Sequence, residues 1–137
     1  MQPTFNNGFW SFTHFKVTGL IWLKRSNRQL KSIEEIKQSF EDVVLALRPL
    51  NKPKLKILVD LRDGPSMRND PEFEKAATPY RRAITEGFYK SAILLKSAAG
   101  TLQVKRYRRE DGGDGPPIFG TQEEALLFLG FVGNPIA

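Results

Sequence analysis

The chain has 137 residues and no cysteine, which gives length for one domain with a sizeable core and excludes disulfides and thiolate metal sites. With 40% hydrophobic and 26% charged residues it has the balance of a globular protein, not a disordered or fibrous one. The opening "MQPTFNNGFW" lacks the basic start and apolar run of a signal peptide, and no apolar run approaches the ~20 residues a bilayer span needs, so a cytoplasmic protein is the expectation. Residues 1–12 read as an N-terminal extension. From Thr13 to Leu23 the side chains alternate as in a strand, with Phe15, Val17, Ile21 and Leu23 on one parity and His14, Lys16 and Thr18 on the other. Gly19 breaks the run as a turn or bulge between two short strands. His14, the single histidine, has no evident acid–base or metal partner and reads as a surface strand residue.

"SIEEIKQSFEDVVLALRP" is a helix. Ser32 and Glu35 make a capping-box pair, and Ile33, Ile36, Phe40, Val43, Val44 and Leu47 form one apolar stripe, closed by Pro49. "KLKILVDLR" follows as an interior strand covered on both faces, its run of Ile57, Leu58, Val59 and Leu61 interrupted only by Asp60. The loop "DGPSMRND" then leads into a helix from about Pro71 to Glu86. Asp70 suits its N-cap, Pro71 its first turn, and Pro79 predicts a kink or break. "SAILLK" reads as another interior strand, "TLQVKRYRRE" is ambiguous between strand and helix, and "REDGGDGPP" is a flexible loop. "PIFG" is a last short strand, and "TQEEALLFLG" a last helix with Thr121 and Glu124 as capping box and Gly130 as stop. Residues 131–137 form a tail too apolar to hang free, so Phe131, Val132 and Ile136 fold back on the sheet or else meet a second copy in a homodimer. The expectation is a single α/β domain over 1–137, a mixed, largely parallel sheet with helices packed on it, in the order β-β-α-β-α-β-(α)-β-α.

With "KILVDLR" running into a loop, "NDPEFE" opening a helix and "PIFGTQEEALLFL" closing the chain, the sequence resembles the STAS or SpoIIAA-like family (sulfate transporter and anti-sigma factor antagonist) over roughly residues 13–130. The resemblance implies a helix at "TLQVKRYRRE". It also implies a noncatalytic regulatory or scaffolding module of bacterial type that binds a partner protein. Family members carry a serine phosphate acceptor at the start of the helix after the central strand. Here Pro71 stands at that point, and Ser66 in the preceding loop is the remaining candidate. Asp70, Glu72 and Glu74 would repel a phosphate there unless Arg62 and Arg68 turn inward.

Asp60, Asp63 and Asp70 are the candidates for acids, bases or metal ligands. Their spacing fits no calcium loop, Walker loop or nucleophile elbow, and neighbouring arginines favour ion pairing over general-base work. No catalytic residue, cofactor or metal is expected. The expected partner surface is Arg62, Asp63, Arg68, Asn69 and Asp70, beyond the carboxyl end of the interior strand, where ligands of open α/β sheets tend to sit. The plainer expectation is that both arginines pair with Asp63, Asp70 or Glu74. A carrier or sensor of a small acidic or lipidic ligand is the alternative reading. The net charge of +6 adds a third, nucleic-acid or anionic-membrane binding, through basic groups at Lys24–Lys31, Arg48–Lys56 and Lys105–Arg109, none of which is a recognised nucleic-acid motif.

Overall fold

The computed structural model describes residues 3–65, 71–96 and 115–136. Within them the chain is α/β, with six strands and three helices: β1 (Phe5–Asn6), β2 (Trp10–Phe15), β3 (Leu20–Arg25), α1 (Ile33–Leu47), β4 (Lys56–Asp60), α2 (Pro71–Thr85), β5 (Lys90–Leu94), β6 (Ile118–Phe119) and α3 (Gln122–Phe128). The strands lie side by side in chain order. β1–β2 and β2–β3 are antiparallel, and β3 to β6 are parallel. None of the described helices is long and apolar enough to cross a membrane.

Each face of the sheet is covered, which is why the interior strands read as continuous apolar runs. On one face Ile21, Leu23, Ile57 and Val59 meet the stripe of α1 and the inner side of α2. Ile36, Phe40, Val43 and Leu47 of that stripe are buried, while Ile33 and Val44 lie at its rim. Phe40 stacks on Tyr80 at 5.7 Å, and the Tyr80 hydroxyl donates to Glu41 across the two helices at 2.8 Å. On the other face Leu20, Trp22, Leu58, Ala92 and Leu94 meet Ala125, Leu126 and Leu129. Phe40→Ala and Leu58→Ala therefore each remove a buried side chain, from opposite cores. Each is expected to lower unfolding free energy by roughly 2–5 kcal/mol in urea titrations. Parent-like midpoints for both would contradict this packing.

Four segments depart from the sequence reading. Residues 5–12, read as an extension, hold β1 and the start of β2, and Phe9, Trp10 and Phe12 are core residues. Only 6 residues long, β2 pairs Phe15 with Leu20 across the turn, so that turn resets the alternation. Phe15 packs in the α3-side core while Ile21 and Leu23 face α1, and Val17, assigned to their parity, stands in the turn 101% exposed. His14 lies half-buried on the face of Phe12 and Ile21, and burial followed by the Lys16 charge lowers its pKa. Finally, of the kink or break expected at Pro79, the break does not occur, since α2 runs unbroken across it. The stretches "TLQVKRYRRE" and residues 109–114 of the predicted flexible loop lie outside the described residues.

The last helix ends as its sequence requires. Gly130 takes φ +93°, its N–H reaches the Leu127 carbonyl at 2.9 Å, and the Phe131 N–H reaches Leu126 at 3.0 Å. This paired closure turns the chain back, and Phe131 and Ile136 pack on the α3-side core. The Thr18 hydroxyl donates to the Pro135 carbonyl at 3.0 Å and fastens the tail to the β2–β3 turn. Phe131 and Ile136 thus fold back as the first of the two expected outcomes required, whereas Val132, named with them, is 96% exposed.

Candidate functional site

The parallel register sets Lys24 of β3 beside Asp60 of β4 and Asp60 beside Leu94 of β5, so the chain leaves β4 at the carboxyl edge of the sheet. Asp60 is 5% exposed and lies on the α3 side, the same side as Trp22. A buried carboxylate needs donors, and this one has four. Trp22 Nε1–H donates to Oδ2 at 3.1 Å. Arg62 Nη2 donates to Oδ2 at 2.8 Å and Nε to Oδ1 at 3.0 Å, a bidentate pair, while the Arg62 backbone N–H reaches Oδ1 at 3.1 Å. Burial pushes the Asp60 pKa up, but the Arg62 side chain and backbone, the Trp22 bond and the Arg62 charge together hold it below the usual carboxylate range. The hydrogen bonds to Asp60, and then the charges of Asp60, Asp63 and Glu123, raise the pKa of Arg62.

This arrangement differs from both readings of Arg62. Its guanidinium fork closes on Asp60 and, among the described residues, pairs with no other carboxylate, so it is not left open for an outside carboxylate or phosphate. Asp63 is exposed beside it. Ser66, Arg68, Asn69 and Asp70 lie outside the described residues. Of the five expected site residues, then, the structure places Arg62 and Asp63 together at the carboxyl edge.

A second basic residue holds the loop from the other face. Arg25 is 8% exposed, and its Nη1 donates to the carbonyls of Phe9 at 3.2 Å and Ser26 at 2.8 Å. Its guanidinium lies 5.8 Å from the Phe9 ring and 5.7 Å from the Trp10 ring. Among the described residues no carboxylate pairs with it, and burial pushes its pKa down to about 10. Gly64 rests on its stem so closely that a Cβ would come within 3.0 Å of Arg25 Cγ. The loop after β4 is thus clamped at its base by Asp60 on one face and by Arg25 on the other.

Around this base the exposed charges alternate in sign. Lys24 lies with its ammonium 5.2 Å from the Trp22 ring centre, Arg28 stacks 4.6 Å from that of Phe9, and Asp63 and Glu123 supply negative charge near Arg62. Sequence reading had signals for part of this. An Asp inside an apolar run demands a partner, but Trp22 is 38 positions away and reaches Asp60 only through strand pairing. Arg25 shares the parity of Ile21 and Leu23, a sign of burial that its membership of a basic group concealed. Among the described residues no three acidic or histidine side chains cluster as a metal site would require. No protein family, curated protein or solved structure matches the chain.

Proposed function

We propose that the chain is a noncatalytic binding module of the SpoIIAA-like (STAS) kind, which meets a partner protein through the carboxyl edge of its sheet with Arg62 and Asp63 at the centre. Arg68, Asn69 and Asp70 enter this reading on the sequence alone. One observation carries it: where the chain leaves β4, four donors on Asp60 hold Arg62 in a fixed position, with the exposed Asp63 next to it at the carboxyl edge. Asp60 itself is ionised and saturated, which suits an anchor better than a proton carrier. The mixture of Lys24, Arg62, Asp63 and Glu123 suits a polar protein surface of matching pattern better than a small anion, because the Arg62 fork that would grip an anion is already engaged.

Asp63→Lys tests this directly, since Asp63 is exposed and its replacement should leave the melting temperature within about 3 °C. Tagged parent and variant chains are used for affinity capture from the source cells. The expected result is a specific protein recovered with the parent and lost with Asp63→Lys. Recovery of the same proteins with both chains would overturn the proposal.

A further inference from the structure

The opposite, amino edge of the sheet has a different chemistry. It is built by residues 16–19 before β3, 48–55 and Lys56 at β4, 86–89 and Lys90 at β5, and the end of α3 with the returning tail. Among the described residues, these segments carry Lys16, Arg48, Lys52, Lys54, Lys56 and Lys90 against the single acid Glu86. Close contacts join them into one surface. The Lys56 ammonium lies 4.8 Å from the Phe131 ring centre and 6.0 Å from that of Tyr89, and Lys90 lies 5.0 Å from Phe128 while donating to its carbonyl at 3.2 Å. The Lys56 N–H reaches the Gly19 carbonyl at 3.0 Å, and the Tyr89 N–H reaches the Leu55 carbonyl at 2.9 Å.

Large apolar side chains stand out from this basic ground. Val17 is 101% and Val132 96% exposed, and their segments are fastened to each other by the Thr18–Pro135 hydrogen bond. Tyr89 and Leu127 are exposed as well. Apolar tips ringed by lysines mark a surface that gains both from leaving water and from meeting negative charge. We propose that this amino edge docks on an anionic lipid bilayer, with Val17 and Val132 entering the headgroup region and the lysines facing the lipid anions.

Two features favour a bilayer over other acidic partners. Single-stranded nucleic acid bound without sequence preference gains from free aromatic faces for stacking, and duplex nucleic acid has no apolar layer to receive exposed aliphatic tips. Here Phe88, Phe128 and Phe131 each hold a lysine of this chain, with Lys52 at 5.7 Å from the Phe88 centre, the exposed Tyr89 has Lys56 at 6.0 Å, and the most exposed tips, Val17 and Val132, are aliphatic. A second copy placed face to face would set two strongly positive surfaces against each other.

The test is co-sedimentation of the full chain with vesicles of phosphatidylcholine alone or with about a third phosphatidylserine. Binding is expected only with phosphatidylserine, and it should weaken as salt is raised. Lys16→Gln with Lys54→Gln should weaken it roughly 25-fold, and Val17→Ser with Val132→Ser roughly tenfold. Because all four side chains are exposed, folding should be kept, as circular dichroism checks. Lys37→Gln with Lys75→Gln, exposed on α1 and α2 and outside this edge, should bind as the parent does. The proposal falls if phosphatidylserine vesicles are not bound at low salt, or if the valine variant binds unchanged. It also falls if single-stranded DNA binds more tightly than the vesicles, or if sedimentation velocity finds a dimer that the valine variant dissolves. The outcome is independent of Asp63, so failure here leaves the partner-capture result standing.

Discussion

Replacing Asp60 by Asn is expected to remove about 3 kcal/mol of stability, read as a shift of the urea midpoint with little change in slope. The amide can still accept at one atom, but its NH2 group must face either the Trp22 N–H or the Arg62 guanidinium, each of which also donates. Two donors then lose their acceptor, because each Asp60 oxygen takes two of the four hydrogen bonds. The Arg62 side chain is 33% exposed and recovers some hydration, which keeps the loss below that of a wholly buried broken pair. The acid limb of the stability curve should change too. Asp60 has a folded-state pKa below its unfolded one, so its contribution is full above the ordinary carboxylate pKa of about 4 and disappears as pH falls through the folded value. Asp60→Asn should therefore lie closest to the parent in strong acid and furthest from it near neutrality. A loss under about 1 kcal/mol, with an unchanged acid limb, would mean that the donors around Asp60 are not set as described.

Local rules made the helices readable and left the ends of the sheet hidden. The Ser32 hydroxyl does accept from the Glu35 N–H at 3.1 Å, and the Thr121 hydroxyl from the Glu124 N–H at 3.3 Å, because a capping box is decided within four residues. One detail of the first box differs: the Glu35 carboxylate takes the Lys31 N–H, one residue before the cap. The run Ile57–Val59 revealed an interior strand, since covering both faces needs only apolar side chains. Alternation failed between Phe15 and Ile21, because the turn changes which face an odd-numbered residue takes and nothing in the pattern records that. The partner of Arg62 was missed for a related reason. Sequence proximity pointed to Asp63, yet the strand end directs the Asp60 carboxylate back beneath the loop, where Trp22 helps to fix it.

The sharpest test of the N-terminal segment is Trp10, which a reading of residues 1–12 as an extension would make dispensable. In the structure it is buried, lies 5.4 Å from the Phe40 ring, and pairs across the sheet with Arg25. The preceding turn is bound to α1 through Asn7 Nδ2, which donates to the Ser39 carbonyl at 3.1 Å, while Asn7 Oδ1 accepts from the Phe9 and Trp10 N–H groups. Trp10→Ala should therefore destabilise by about 3–4 kcal/mol, as truncation of a buried aromatic does. Water admitted to the Arg25 guanidinium offsets part of the lost packing and keeps the value off the top of that range. Trp10→Phe should behave differently. Among the described residues the buried indole Nε1–H has no hydrogen-bond partner, so phenylalanine removes an unsatisfied donor along with some contact area. The two effects oppose each other, and a loss of about 1 kcal/mol or less is expected. Urea midpoints of the two variants against the parent decide the matter. A Trp10→Ala midpoint equal to that of the parent would detach the first two strands from the fold, and a Trp10→Phe loss as large as that of Ala would mean the indole N–H is bonded after all.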